Sequence, residues 1–307
     1  MNTRKTILLN LSKVAKSYGR VQAVKNASFS VRTGEVVGFL GPNGAGKTTT
    51  IRMIMQETSP SHGKIELFGK SNTPSEVNHR DIGFLGSDMT YEEGLTGRQF
   101  LSLVNHIRGG THQARIDELV QLLGANLTHT IRTLSRGNKQ KIGLIAAVMH
   151  RPRLLIMDEP TSGFDPLMQR VFVDIIRDHT KAGGGALISS HILSEVQHLA
   201  SRVLFISEGT ILGEQNIHAL LRESALRIYV TFSTPQRAKS SGSILAKLPG
   251  IAIESVHHDS IRATYQGNSA ALLSALADLK PIQCLIQEPE LEEVFMQYYN
   301  TNNVEKR

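Results

Sequence analysis

Apolar residues follow three rhythms along this chain, and each predicts a different kind of element. Short unbroken apolar runs, "EVVGFLG" from Glu35 and "LLIM" from Leu154, read as strands buried on both faces, and the apolar stretch leading into "SHIL" at His191 reads the same way. Between them the spacing turns helical. "GKTTTIRMIM" from Gly46 starts a helix; Phe100, Leu101, Val104 and Ile107 make one apolar face, and Leu119, Leu122 and Leu123 another. Ile142, Ile145 and Met149 recur in a further helix for which Ser135 is the predicted N-cap. After "LGEQNIHALL" strict alternation begins, with Leu226, Ile228, Val230 and Phe232 on one face. A helix over 235–248, strands "IAIESV" and "SIRATY" joined by "HHD", a helix over 270–279 and strand "IQCLI" complete a βαββαβ order. "EPELEEVFMQYY" then reads as an amphipathic helix through Leu291, Val294, Phe295 and Tyr298, ahead of a polar tail. This change of rhythm predicts two domains, residues 1–220 and 221–307, the first holding a largely helical stretch over 94–150. A length of 307 residues suits that division.

The first buried strand meets the first helix through a glycine-rich turn, and there the pattern acquires chemistry. Gly41, Gly44, Gly46, Lys47 and Thr48 fit G-x-x-x-x-G-K-[ST], the phosphate loop, in the strand-to-helix setting that the motif requires. Small residues let backbone amides curl around phosphate oxygens, and the helix N-terminus adds its dipole. Lys47 brings a point charge to the β and γ phosphates, and Thr48 can ligate magnesium. With Pro42, Asn43 and Ala45 inside the turn and Thr49 after it, the predicted nucleotide site runs from Gly41 to Thr49. The matching carboxylates should close another buried strand, and "LLIMDEP" supplies them: Asp158 to hold Mg2+, and Glu159 to orient or deprotonate the attacking water. Together these motifs predict a nucleoside triphosphatase.

Composition narrows the setting. No run approaches the roughly 18 apolar residues of a membrane helix, and "ILLNL" after Arg4 and Lys5 is too short for a signal-peptide core, so a soluble, unexported protein is expected. The single cysteine, Cys284, excludes an internal disulfide framework and suits a reducing cytosol. A net charge of +7 permits an acidic partner, but the basic residues are dispersed, as on an ordinary solvated surface. His257 and His258 fall in a predicted hairpin turn, where two polar turn residues are favoured over metal ligands.

"TLSRGNKQKIGLIAAVMH", residues 133–150, resembles the signature of the ABC ATPase family, which begins Leu-Ser-Gly-Gly-Gln. Leu134, Ser135 and Gly137 match it, whereas Arg136 and Asn138 depart in the manner of ATP-binding subunits of bacterial exporters whose membrane subunits are separate chains. The resemblance runs in order from about Leu8 to Leu220. Tyr18 matches the aromatic residue that stacks on adenine, "TSGFDP" with Asp165 the loop that meets an opposing subunit, and His191 the switch histidine that reaches the γ phosphate. The family's glutamine between phosphate loop and signature is missing: Ser87 stands at that point with Asp88 after it, and Asp88 is the candidate to reach magnesium.

The resemblance implies an α/β fold, a P-loop ABC ATPase domain with a helical subdomain, followed here by a small α+β ferredoxin-like domain of regulatory or dimer-supporting role. It implies ATP and Mg2+ bound between two facing ATPase subunits, with Ser135 and the Gly137 amide completing the partner's site. A second ATPase subunit, identical or paralogous, and a separate integral membrane subunit are the expected partners, with no nucleic acid expected. The protein would then sit peripherally on the cytoplasmic face of the inner membrane, powering an exporter. A soluble ABC ATPase acting on ribosomes or nucleic acid is the alternative; such relatives generally carry two fused cassettes, a long coiled coil or zinc-binding cysteine pairs. A non-hydrolytic regulator ranks last, since Glu159 and His191 are both present.

Overall fold

The computed structural model describes residues 6–73, 79–87, 91–192, 196–217, 219 and 225–288. The chain divides after Gln215 into two compact units. Asp88 and most of the predicted C-terminal helix, residues 289–299, lie outside the described residues.

Two sheets build the first unit. β1 (Ile7–Tyr18) and β2 (Val21–Arg32) form a long antiparallel pair, extended by β4 (His62–Leu67) and β5 (Lys70–Ser71) in the order β2-β1-β4-β5. The second sheet has the order β10-β9-β3-β8-β7-β6, from β3 (Val36–Leu40), β6 (Ile82–Leu85), β7 (Leu154–Asp158), β8 (Gly185–Ser190), β9 (Arg202–Ser207) and β10 (Thr210–Asn216). Its strands from β9 to β6 are parallel. β3, β7 and β8 are buried at every residue, which is why they read as unbroken apolar runs rather than as alternation. α1 (Lys47–Ile54) shares one apolar core with both sheets, in which Phe29 of β2 meets Phe39 of β3 at 5.6 Å between ring centroids.

The helical stretch contains α2 (Gly97–Ile107), α3 (Gln113–Leu123) and α4 (Arg136–Val148). α2 starts in a reciprocal cap, Thr96 Oγ1 accepting from Gln99 N at 3.2 Å while Thr96 N donates to Gln99 Oε1 at 2.9 Å. Leu101, Leu119 and Leu123 are buried as predicted, but Ile107 is 66% exposed and Leu122 48%. The apolar stripes are wider than the seams on which α2 and α3 pack against α4, so their margins face solvent. α5 (Pro166–Lys181) follows β7, with Pro166 at its first turn. Among the described residues no helix is long and apolar enough to cross a membrane.

The second unit realises the βαββαβ order. β11 (Leu226–Thr231), α6 (Pro235–Leu245), β12 (Ile251–His257), β13 (Ser260–Tyr265), α7 (Ser269–Leu279) and β14 (Gln283–Gln287) give a sheet ordered β12-β13-β11-β14, every neighbouring pair antiparallel. This is the ferredoxin-like arrangement. Its core joins Ile228, Val230 and Phe232 to Ile261, Ala263, Leu272 and Leu276. His258 turns the β12–β13 hairpin at a φ of 51°.

Candidate functional site

The turn between β3 and α1 has an exposed lip, Pro42 to Gly44, and a buried floor, Ala45 to Lys47; Thr48 and Thr49 are half-buried. Gly46 takes a φ of 107°, and a Cβ there would lie 2.6 Å from the Ala23 carbonyl oxygen, so neither backbone nor space admits another residue. The turn is strapped from outside by Gly209 N, which donates to Ala45 O at 3.0 Å. Lys47 Nζ folds back inside, donating to Gly41 O at 2.6 Å and Pro42 O at 3.2 Å. Burial pushes the pKa of this ammonium down, against the opposing pull of Glu159 and Asp158. α1 has no side-chain cap at Gly46 and no acidic residue in its first turn, as suits a helix start that binds an anion.

The carboxylates come from the neighbouring strand end. Asp158, the last residue of β7, is 2% exposed and, among the described residues, accepts three hydroxyl bonds. Thr48 Oγ1 donates to its Oδ2 at 2.8 Å, Ser87 Oγ to the same oxygen at 3.2 Å, and Ser189 Oγ to Oδ1. Glu159 follows at a φ of 50°, in the left-handed region that non-glycine residues rarely take. Its amide donates to Ser189 O at 3.2 Å, and its Oε1 accepts from His191 Nδ1 at 3.0 Å. Behind this edge Gln140 Nε2 donates to Pro160 O at 2.9 Å, tying α4 to the strand end. Phosphate turn and carboxylates thus meet at the carboxyl ends of parallel strands, where open α/β sheets bind ligands.

The other predicted residues belong to separate groups. Ser135 caps α4, its Oγ accepting from Asn138 N at 3.3 Å. Gly137 lies so close to the loop after β7 that a Cβ would stand 2.8 Å from Gly163 O. Among the described residues no hydrogen bond joins Ser135 or Gly137 to the phosphate turn. Asn138, the departure from the family's glutamine, clasps Asn126 through its side chain, accepting from Asn126 N and donating to Asn126 O, each at 2.8 Å. Asp165 is occupied as the cap of α5, with Oδ1 accepting from Met168 N at 2.8 Å. Tyr18, at the end of β1, is 49% exposed, with Lys16 Nζ 4.9 Å from its ring centroid.

Two participants carry no signal of their own in the sequence. Ser87 was visible only as the residue standing where a glutamine is usual, and Ser189 not at all, since a lone serine in an apolar strand has no pattern. Cross-strand register brings Ser189 level with Asp158.

A sequence profile of the family described as ABC transporter matches residues 24–162. The chain is 32% identical to the bacitracin transport ATP-binding protein BcrA of Bacillus licheniformis, over 94% of this chain and 96% of that protein. It is 31% identical to the daunorubicin/doxorubicin resistance ATP-binding protein DrrA of Streptomyces peucetius, over 96% of this chain and 93% of that protein. A solved structure of an ATP-binding subunit of an ABC transporter superposes with a TM-score of 0.64 at 26% identity, covering 70% of this chain and 92% of that one. Phosphate loop, ordered motifs, fold and near full-length kinship agree: the chain belongs to the ABC transporter family, as one of its ATP-binding subunits.

Proposed function

We propose that this subunit hydrolyses Mg2+–ATP at the strand-end site and couples closure of two such subunits to export through a separate integral membrane subunit. The observation that carries the reading is the convergence at neighbouring strand ends of the Thr48–Asp158 bond and the His191–Glu159 bond. The exporter direction rests on the kinship with BcrA and DrrA, and peripheral attachment to the cytoplasmic face of the membrane follows from a separate membrane subunit.

The donor set suits magnesium. Thr48 Oγ1 and Asp158 Oδ2 offer hard oxygens at one point, with Ser87 Oγ beside them, while the described residues contain no cluster of three acidic, histidine or cysteine side chains that could hold a metal alone. A site with few protein oxygens fits an ion that keeps its waters and takes substrate phosphates as ligands. Thr48 and Asp158 would hold it, and when bound it supplies charge neutralisation between the β and γ phosphates.

The remaining tasks fall to side chains and amides. Lys47 and the leading amides of α1 bind the phosphate oxygens, and the exposed Tyr18 ring offers a face for adenine. Glu159 orients the attacking water and receives its proton, while His191 holds Oε1 so that the carboxylate points in one direction. Ser135 and Gly137, at the start of α4, contact the γ phosphate held by a second subunit. Binding free energy that favours the closed pair over the open pair then biases the membrane partner between two conformations. The unit from Asn216 onward supports or regulates that pairing.

Glu159→Gln tests this directly. The variant should bind ATP, cease to hydrolyse it and accumulate as an ATP-dependent dimer on size exclusion; rapid turnover would remove Glu159 from its role.

A further inference from the structure

Asp158 has a side chain whose last torsion, between tetrahedral and planar carbon, is intrinsically broad, so nothing in its own covalent structure fixes the plane of the carboxylate. Two of its three hydroxyl partners, Thr48 and Ser87, bond Oδ2 and sit where the metal would be held. Among the described residues Ser189 alone bonds Oδ1, from β8. It is fully buried and stands directly across the ladder from Asp158. The same serine also receives the next acid: Glu159 N donates to both its Oγ and its carbonyl oxygen, each at 3.2 Å. Two positions on, His191 bonds the Glu159 carboxylate. One strand end therefore orients the side chain of Asp158, the left-handed backbone of Glu159 and the side chain of Glu159.

We propose that Ser189 is a positioning residue for hydrolysis, its hydroxyl setting the carboxylate plane of Asp158 so that Oδ2 faces Thr48 before Mg2+–ATP arrives. This rests on the reading of Asp158 and Glu159 as metal-holding and water-orienting groups. The hydroxyl acts through Asp158 and touches neither metal nor nucleotide. Without it, Oδ1 loses its donor in a place that water barely reaches, and the carboxylate turns to recover a bond at the expense of the arrangement at Oδ2.

Affinity for a fluorescent ATP analogue, measured in EDTA and across a magnesium titration, separates this role from packing. Ser189→Ala should bind the analogue in EDTA as the unaltered protein does, while the magnesium needed for half-maximal tightening rises by about 10- to 100-fold, as for other residues that orient metal ligands. An unchanged magnesium dependence overturns the proposal. So does an equal loss of binding with and without magnesium, which would mark a serine that merely fills its strand. If the alanine variant does not fold, Ser189→Cys, nearly isosteric and a weak donor, should show the same magnesium-selective change at smaller size, and no change there is equally fatal. Asp158→Asn measured alongside distinguishes the two levels. If it leaves the magnesium dependence intact, the site reading itself fails and Ser189 falls with it; if it abolishes that dependence while Ser189→Ala does not, only the Ser189 assignment is wrong.

Discussion

The phosphate turn and the signature segment are both helix beginnings, yet they are finished to different degrees. Around α1 the polar groups are interlocked: Lys47 on its loop carbonyls, Thr48, Ser87 and Ser189 on the buried Asp158, and the exposed His191 on Glu159. At the start of α4 Ser135 and Asn138 make their bonds at the exposed surface, while further along Gln140 ties the helix to Pro160. The first is interlocked within a single chain, and the second bonds at its surface, as suits the proposed contact with a facing subunit. On the proposed reading such an asymmetry is expected, because a surface that meets a second subunit must be free to separate from it and return.

That contrast can be broken at either end. Glu159→Gln carries the largest expected effect, a fall in turnover of about 10²- to 10⁴-fold with nucleotide affinity kept, as for loss of a general base. Lys47→Ala should instead weaken ATP binding by about 10- to 100-fold, the scale of a lost charge-assisted bond, as read by equilibrium nucleotide binding. Ser135→Ala should leave ATP binding to the isolated subunit unchanged and lower ATP-dependent dimerisation and steady-state turnover by about tenfold, the worth of one hydrogen bond. If it weakens binding by the single subunit, the two half-sites are not separate.

Smaller effects test how the helical stretch is tied to the sheet. His150 accepts from Arg108 Nη1 at 2.7 Å, and Arg108 Nη2 donates to Ile82 O at 3.2 Å, which clips the end of α2 to the first residue of β6. Burial, aided by the Arg108 charge, pushes the His150 pKa down to about 4. Unfolded chains would protonate this ring near its ordinary value, about 6.5, whereas the folded protein refuses the proton until about pH 4. The clip's stability is therefore fully present above pH 6.5 and declines as pH falls towards 4, so the melting temperature should drop across that window and drop less in His150→Gln. Asn138→Ala, which removes two bonds at the surface, should cost about 1 kcal/mol in denaturant unfolding, the smallest of these effects.

Much of this was legible in the sequence for a physical reason. Parallel strands covered on both faces must be continuously apolar, so β3 and β7 announced themselves, and glycine, lysine and threonine at fixed spacing have few other uses. The second unit was legible because its strands are half-buried and its helices cover one face, which leaves alternation as a trace. Long-range polar pairing was not. Ser189 meets Asp158 across 31 residues of sequence, and only the register of β7 with β8 makes them partners. Asp165, expected at the contact with an opposing subunit, has a local task the sequence reading did not name, the capping of α5. Tyr91 also went unread: its hydroxyl donates to Lys139 O at 2.7 Å, and burial raises its pKa to about 12. Nothing in "MTYEEG" marks that tyrosine as a prop for the signature helix.

The backbone of Glu159 carries one more consequence. A glutamate held at a φ of 50° is a poor choice for folding, and asparagine or glycine would rest there more easily. Substitutions selected only for heat resistance should therefore drift toward those residues at position 159 and, with Glu159 in its proposed role, silence hydrolysis as they do so. On that proposed role durability and turnover are rivals at this position, and the glutamate marks which of the two has been kept.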